Sequence, residues 1–187
     1  MGKGSLIILS GPSGVGKGTV RKALAELPGL DFYYSISMTT RKGRPGEVDG
    51  RDYFFVTPEQ FQKKIDEGGF LEWAEFVGNR YGTPADVVES YRQKGTDVLL
   101  EIETNGAKQV IEKCPDAVTI FIVPPSMEAL EQRIRGRSTE DEETIQGRLR
   151  KAKAELELAS QYQHVVLNDD YRRAAEEIRD IILAARG

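Results

Sequence analysis

The sequence predicts a three-layer α/β protein, a parallel sheet between helices, carrying two inserted elements. Three observations lead there. Short apolar, β-branched runs at residues 5–10, 97–103 and 117–123 read as buried strands. Helical periodicity separates strands toward both ends of the chain, the alternation that parallel crossovers require. A mixed stretch at 35–85 and an arginine-rich helical stretch at 126–158 interrupt that alternation. A chain of 187 residues suits one globular unit with embedded subdomains. Its expected division is a core of 1–34, 86–125 and 159–187, an insertion of 35–85 and a lid of 126–158.

The elements follow in order. Residues 5–10 (SLIILS) end in a glycine-rich turn. A helix over 17–27 carries Val20, Ala23, Leu24 and Leu27 on one face, and Pro28–Gly29 stops it. A strand is expected at 33–37, then an irregular polar stretch at 39–52, then a strand at 52–56. Thr57 caps a helix that Pro58 opens and Gly68–Gly69 closes. Residues 70–77 and 80–82 flank the turn dipeptide Gly78–Asn79 as a hairpin. Thr83–Pro84 reads as the start of a helix to about Lys94. A helix near 106–114 joins the strands 97–103 and 117–123. Ser126 caps a helix to about Arg135, residues 136–139 break it, and 140–160 is one long helix. A last strand at 165–167 precedes a helix over 171–186, with Ala174, Ile178, Ile181, Ile182 and Ala185 on its buried face.

Composition excludes several classes. Hydrophobic residues are 39% and charged residues 30%, which fits neither disorder nor a fibre. A net charge of −4 argues against sequence-independent nucleic-acid binding. Cys114 is the only cysteine and His164 the only histidine, so no internal disulfide and no His-pair metal site can form, and a Ser-His-Asp mechanism is disfavoured. The opening apolar run, 6–9, falls far short of the ~20 residues that span a membrane, and no signal-peptide pattern is present. Leu6 stands where myristoylation needs Ser or Thr. No membrane partner and a cytoplasmic location are therefore expected.

The strongest local signal is Gly11–Pro12–Ser13–Gly14–Val15–Gly16–Lys17–Gly18–Thr19, which follows a strand and opens a helix. Glycines let successive N–H groups curl around an anion, the helix N-terminus adds partial positive charge, and Lys17 adds a full one. The usual Ser or Thr after the lysine is Gly18 here, and the hydroxyl comes one residue later, in Thr19. All nine residues are candidate triphosphate ligands, and the family resemblance given below makes the triphosphate ATP. No protein metal ligand is assigned.

A second anion site is suggested further on. Arg41 and Arg44 lie three apart in a polar loop, with Tyr53 and Tyr81 following on strands. Two guanidinium forks and two phenols suit a phosphate monoester, although a pair of loop arginines equally fits a solvated surface. The alternation in 97–103 puts Glu101 and Glu103 on one side of a strand, opposite Val98, Leu100 and Ile102.

With these residues in view, the chain resembles the guanylate kinases. The run Thr40–Arg41, Arg44, Glu47, Gly50, Tyr53–Phe54–Phe55 is similar to that family's GMP-binding signature. The segments GPSGVGKGT, Glu72–Trp73–Ala74, Tyr81–Gly82–Thr83 and Asn168–Asp169–Asp170 resemble family segments in the expected order, nearly end to end. The resemblance implies a P-loop NTPase core, a GMP-binding insertion and a lid. It implies Arg41, Arg44, Tyr53 and Tyr81 as ligands of the GMP phosphate. Ser37, Glu72, Thr83 and Glu103 fall on the guanine side. Guanine offers N1–H and N2–H2 donors that Glu72 can accept together, while Thr83 or Ser37 donates to O6. Adenine lacks that pattern. The family often carries Asp where Glu103 stands, and often Gln where Asn105 stands.

The arginines of the lid region are Arg133, Arg135, Arg137, Arg148 and Arg150. They fit an exposed, salt-bridged helix face as well as a mobile lid. By resemblance, Arg133, Arg137 and Asn168 face ATP, Arg148 reaches the transferred phosphoryl group, and Arg135 packs near adenine. Lys17, Arg41, Arg137 and Arg148 are the expected catalytic residues. They act by charge, without a general base, because the acceptor phosphate oxygen is already anionic. The expected reaction is transfer from ATP to GMP, and to dGMP, with Mg2+ held mainly by nucleotide phosphates and water. The expected assembly is a monomer or homodimer. Two alternatives stand beside it: a kinase for another nucleoside monophosphate, and a non-catalytic phosphopeptide-binding module of similar fold.

Overall fold

The computed structural model describes residues 2–137 and 139–186, without the side chain of Arg137. Strand β1 (Leu6–Ser10) is buried at every position, as its uninterrupted apolar run requires. It is the middle strand of a five-stranded sheet in the order β2 (Phe32–Tyr34), β7 (Asp97–Glu101), β1, β8 (Val118–Val123), β9 (His164–Leu167). Every pairing in this sheet is parallel.

Alternation along β1 divides the core. Ile7 and Leu9 pack with Val20 and Leu24 of α1 (Lys17–Glu26) and with Ala174, Ile178 and Ile182 of α7 (Tyr171–Ala185). Leu6 and Ile8 face the other way, onto Val88 of α3 (Ala85–Gln93) and Ala107 and Val110 of α4 (Thr104–Lys113). The three expected layers are present.

A second sheet, in the order β4 (Phe54–Phe55), β3 (Met38–Thr39), β6 (Asn79–Pro84), β5 (Phe70–Phe76), is built wholly from the 35–85 stretch. β3 runs parallel to β4 and antiparallel to β6, and β5 and β6 form the hairpin. Helix α2 (Pro58–Asp66) starts at a full capping box, Thr57 with Gln60. Helices α5 (Met127–Arg137) and α6 (Glu142–Leu156) share a small core of Leu130, Ile134, Ile145 and Ala152.

Four sequence expectations need correction. The hairpin turn is Val77–Gly78, at φ 49° and 76°, one residue before the Gly78–Asn79 dipeptide. The helix start expected at Thr83–Pro84 moves on by one residue: Thr83 pairs with Glu72 across the hairpin, and Pro84 both ends β6 and is the N-cap of α3. The long helix of 140–160 is shorter: Asp141 caps α6 through Thr144 N–H, and residues Glu157–Gln161 tighten into a 3-10 turn. β7 stops at Glu101, so Glu103 is the N-cap of α4 and does not continue the strand alternation.

Candidate active site

The loop between β1 and α1 is shaped by two glycines in the left-handed region, Gly14 at φ 83° and Gly16 at φ 92°. A Cβ on Gly14 would lie 2.9 Å from Ile134 of α5, and one on Gly16 would lie 3.1 Å from the Asn168 amide nitrogen. Gly16 caps α1 without a side-chain bond, which leaves the first N–H groups of the helix for an anion. Distant residues hold the loop in place. Asn168 Nδ2 donates to the Val15 carbonyl at 2.8 Å, and Arg133 donates to the same oxygen at 2.9 Å. Arg148, on α6, reaches Ser13 Oγ at 3.3 Å while pairing with Glu140 at 2.9 Å.

Lys17 Nζ donates to the carbonyls of Gly11 at 2.9 Å and Pro12 at 3.4 Å. Its cavity, about 500 Å³, is lined by Ser13, Lys22, Glu101, Glu103 and Glu155 among others. Burial lowers the Lys17 pKa, opposed first by the charge of Glu155 and then by Glu101 and Glu103. Glu101 is engaged by Arg21 at 2.7 Å and Tyr34 OH at 3.3 Å, and burial beside that carboxylate pushes the Tyr34 phenol up to about 12. A second cavity of about 510 Å³ shares Gly16 and Thr19 with this region and continues to Arg133, Asn168, Asp169 and Arg172.

The other neighbour of the Lys17 cavity, of about 620 Å³, is lined by Tyr53, Glu72, Tyr81, Asn105, Gly106 and Lys151, and it shares Ile102 and Glu103 with the Lys17 cavity. Glu72 is 9% exposed and its Oε1 accepts from Thr83 Oγ1 at 2.7 Å. Burial raises its pKa above the ordinary carboxylate value, while the Thr83 bond and the Lys113 charge lower it. Arg41 lies over the Tyr53 ring at 5.1 Å and is gripped by both oxygens of Glu47 at 2.9 Å each. That fork, with the Arg44 N–H, holds Glu47 at about 2.

Of the sequence-predicted residues, Ser13, Gly14, Gly16, Lys17, Gly18, Thr19 and Glu103 line the Lys17 cavity, Arg133 and Asn168 the cavity beyond Gly16, and Tyr53, Glu72 and Tyr81 the third, while Arg41, Arg44, Thr83 and Arg148 lie outside these linings. Ser37 is half-buried and its carbonyl accepts from Phe54 N–H, away from the lining of the Glu72 cavity. Arg135 bonds Glu131 at 3.0 Å and Glu142 at 2.6 Å, tying α5 to α6, and it does not line the Asn168 cavity. The Arg137 side chain lies outside the described residues. Glu155, Lys151, Gln109 and Gly106 were not found from sequence; for Glu155 the usable signal is its seven-residue spacing from Arg148, which puts both on one face of α6.

A parallel sheet whose first strand feeds a glycine-rich loop, a lysine and a helix N-terminus defines a P-loop nucleotide-binding protein, here with a further cavity adjoining that of the loop. Comparison narrows the class. The guanylate kinase family model matches residues 3–185. The guanylate kinase of Latilactobacillus sakei is 52% identical over 180 residues, 96% of this chain and 89% of that protein. That of Lactiplantibacillus plantarum is 52% identical over 184 residues, 98% of this chain and 89% of that protein. The crystal structure of guanylate kinase from Anaplasma phagocytophilum aligns with a TM-score of 0.75 at 36% identity, covering 98% of this chain and 86% of that one. The chain belongs to the guanylate kinase family, the ATP-dependent kinases of GMP.

Proposed function

We propose that this protein is an ATP:GMP phosphotransferase in which the three adjoining cavities hold the two nucleotides end to end. The observation that carries the reading is the shared wall at Ile102 and Glu103, which makes the Lys17 cavity continuous with the Glu72 cavity. The ATP adenosine lies toward Arg133 and Asn168, its phosphates on residues 11–19, and the GMP base against Glu72 and Thr83. Arg41, Arg44, Tyr53 and Tyr81 take the GMP phosphate. Arg41 is already paired with Glu47, so it is presented to the phosphate in a fixed pose.

Transfer needs the acceptor oxygen in line with the γ-phosphorus and positive charge on the moving group. Lys17 and Arg148 flank the loop from α1 and α6, and Arg41 approaches from the insertion; Arg137 is assigned to the same task. Closure of 35–85 and 126–158 over the core would bring these charges together and exclude water as a rival acceptor.

Mg2+ fits this chemistry as a guest of the nucleotide. Gly18 offers no hydroxyl, and among the described residues no group of three His, Cys, Asp or Glu could hold a metal. Glu101 and Glu103 line the phosphate cavity and would accept hydrogen bonds from its water shell. The ion neutralises phosphate charge.

A nucleotide panel tests the proposal. With ATP and Mg2+, ADP release should be fast with GMP, present with dGMP, and far slower with AMP, UMP and dTMP. Equal turnover of AMP and GMP would refute the base assignment. No ADP release, with phosphopeptide binding retained, would replace the enzyme reading by the interaction module.

A further inference from the structure

We infer that one face of α4, formed by Gly106, Gln109 and Lys113, is a positioning device that sets the Glu72 carboxylate and thereby the discrimination between purine bases. The inference rests on the reading of the Glu72 cavity as the guanine site. The three residues are spaced three and four apart, so they project from α4 in one line. All three meet β5, the strand that carries Glu72, and β5 is an edge strand of its sheet.

Gln109 replaces the missing neighbour strand. Its Oε1 accepts from the Trp73 N–H at 3.3 Å and its Nε2 donates to the Trp73 carbonyl at 3.4 Å. Both main-chain groups of the residue next to Glu72 are thereby held by one side-chain amide. One turn further on, Lys113 Nζ donates to the Phe70 carbonyl at 2.7 Å. The backbone on both sides of Glu72 is fixed to the same helix. The Lys113 charge also favours the ionised form of Glu72 against its burial.

Gly106 completes the device. A Cβ there would stand 3.1 Å from Glu72 Oε2 and 3.3 Å from its Cδ, closer than ordinary contact. Gly106 is not among the positive-φ glycines, so its backbone does not require glycine. Within a helix, glycine is about 1 kcal/mol worse than alanine. The glycine's evident use is the room it leaves for the carboxylate. β5 contributes a bulge: Phe70 pairs with Pro84, but Glu72 pairs with Thr83, so the register shifts by one across Leu71. Leu71 is buried in the main core, while the shifted register brings the Thr83 hydroxyl onto Glu72. Bulge, helix face and hydroxyl together hold one carboxylate where two ring donors must meet it.

The test compares Gly106→Ala, Gln109→Met and, in parallel, Glu72→Gln, with GMP and with inosine monophosphate, which lacks the 2-amino donor. A displaced carboxylate that loses one charge-assisted hydrogen bond to the base should raise the KM for GMP about tenfold in Gly106→Ala. Gln109→Met should move in the same direction. KM for ATP and kcat at saturating GMP should stay within about twofold, as expected for lost ground-state binding. The preference for GMP over inosine monophosphate should shrink in both variants, which a purely structural role would leave unchanged. If Gly106→Ala does not fold, Gln109→Met decides alone. Unchanged GMP KM and unchanged base preference, with Glu72→Gln impaired, overturn the positioning role. An unimpaired Glu72→Gln overturns the guanine-site reading and this inference with it.

Discussion

Glu72→Gln removes one charge and keeps the shape of the side chain. In the wild type the carboxylate is 9% exposed, gives one oxygen to Thr83 at 2.7 Å and keeps the other beside Gly106. Both oxygens can accept from the guanine N1–H and N2–H2. The amide of the variant must turn its NH2 toward Thr83 or toward those donors, and at least one donor then meets another. Hydrogen bonds to a charged group are worth about 1.5–3 kcal/mol each, so two at the low end come to about 3 kcal/mol, roughly 150-fold in kcat/KM for GMP. KM for ATP should hardly change, because the loop of 11–19 does not touch Glu72. A coupled assay with each nucleotide varied at saturation of the other measures both. Equal losses for ATP and GMP would refute the reasoning. Stability should move the opposite way. Burial raises the folded-state pKa of Glu72, so the protonated side chain stabilises the fold, fully below the unfolded pKa and progressively less as pH rises through the folded one. Above that folded-state pKa the free enzyme carries a buried anion that the amide variant lacks. The variant should melt above the wild type there, and the gap should close on acidification.

Three further outcomes are expected. Lys17→Gln should lower kcat by ~10²–10³-fold, the scale of losing one electrostatic donor at a transition state. In the free wild-type protein burial lowers the Lys17 pKa, so kcat/KM for ATP should decline on the alkaline side before the ordinary lysine value of 10.5; a limb at or above that value would contradict the burial argument. Val77 sits at φ 49° in the hairpin turn, a costly conformation for a β-branched residue. Val77→Asn creates the Asn-Gly pair favoured in such turns and should add about 1 kcal/mol, or about 2–4 °C in Tm, at unchanged activity. An unchanged or lower Tm would count against strain at that position.

What could be read from the chain alone was local. The strand–loop–helix unit of residues 6–26, the glycines of its loop, the helix cap at Thr57 and the buried apolar run of β1 depend on neighbours a few residues apart, so periodicity and residue type suffice. The anion chemistry of Lys17 was legible for the same reason: a lysine that closes a glycine-rich loop between a strand and a helix has few other uses, whereas the Arg41 reading needed the family signature. The family signature carried the roles of Glu72 and Asn168, which no local pattern distinguishes from surface residues.

The tertiary structure alone decided how these pieces meet. Thr83 looked like a helix cap and is instead the partner of Glu72, because a bulge at Leu71 shifts the hairpin register by one residue. Arg135, which the sequence left open between a salt-bridged face and a place near adenine, binds Glu142 across two helices. Asn168 and Arg133 converge on the Val15 carbonyl from 153 and 118 residues away. Cross-strand register and long-range convergence arise only when distant surfaces pack, since each bond costs chain entropy that only the packed core as a whole offsets. Composition and spacing could name the chemistry; the joining of β5 to α4, and so the position of the Glu72 carboxylate, exists only in the folded molecule.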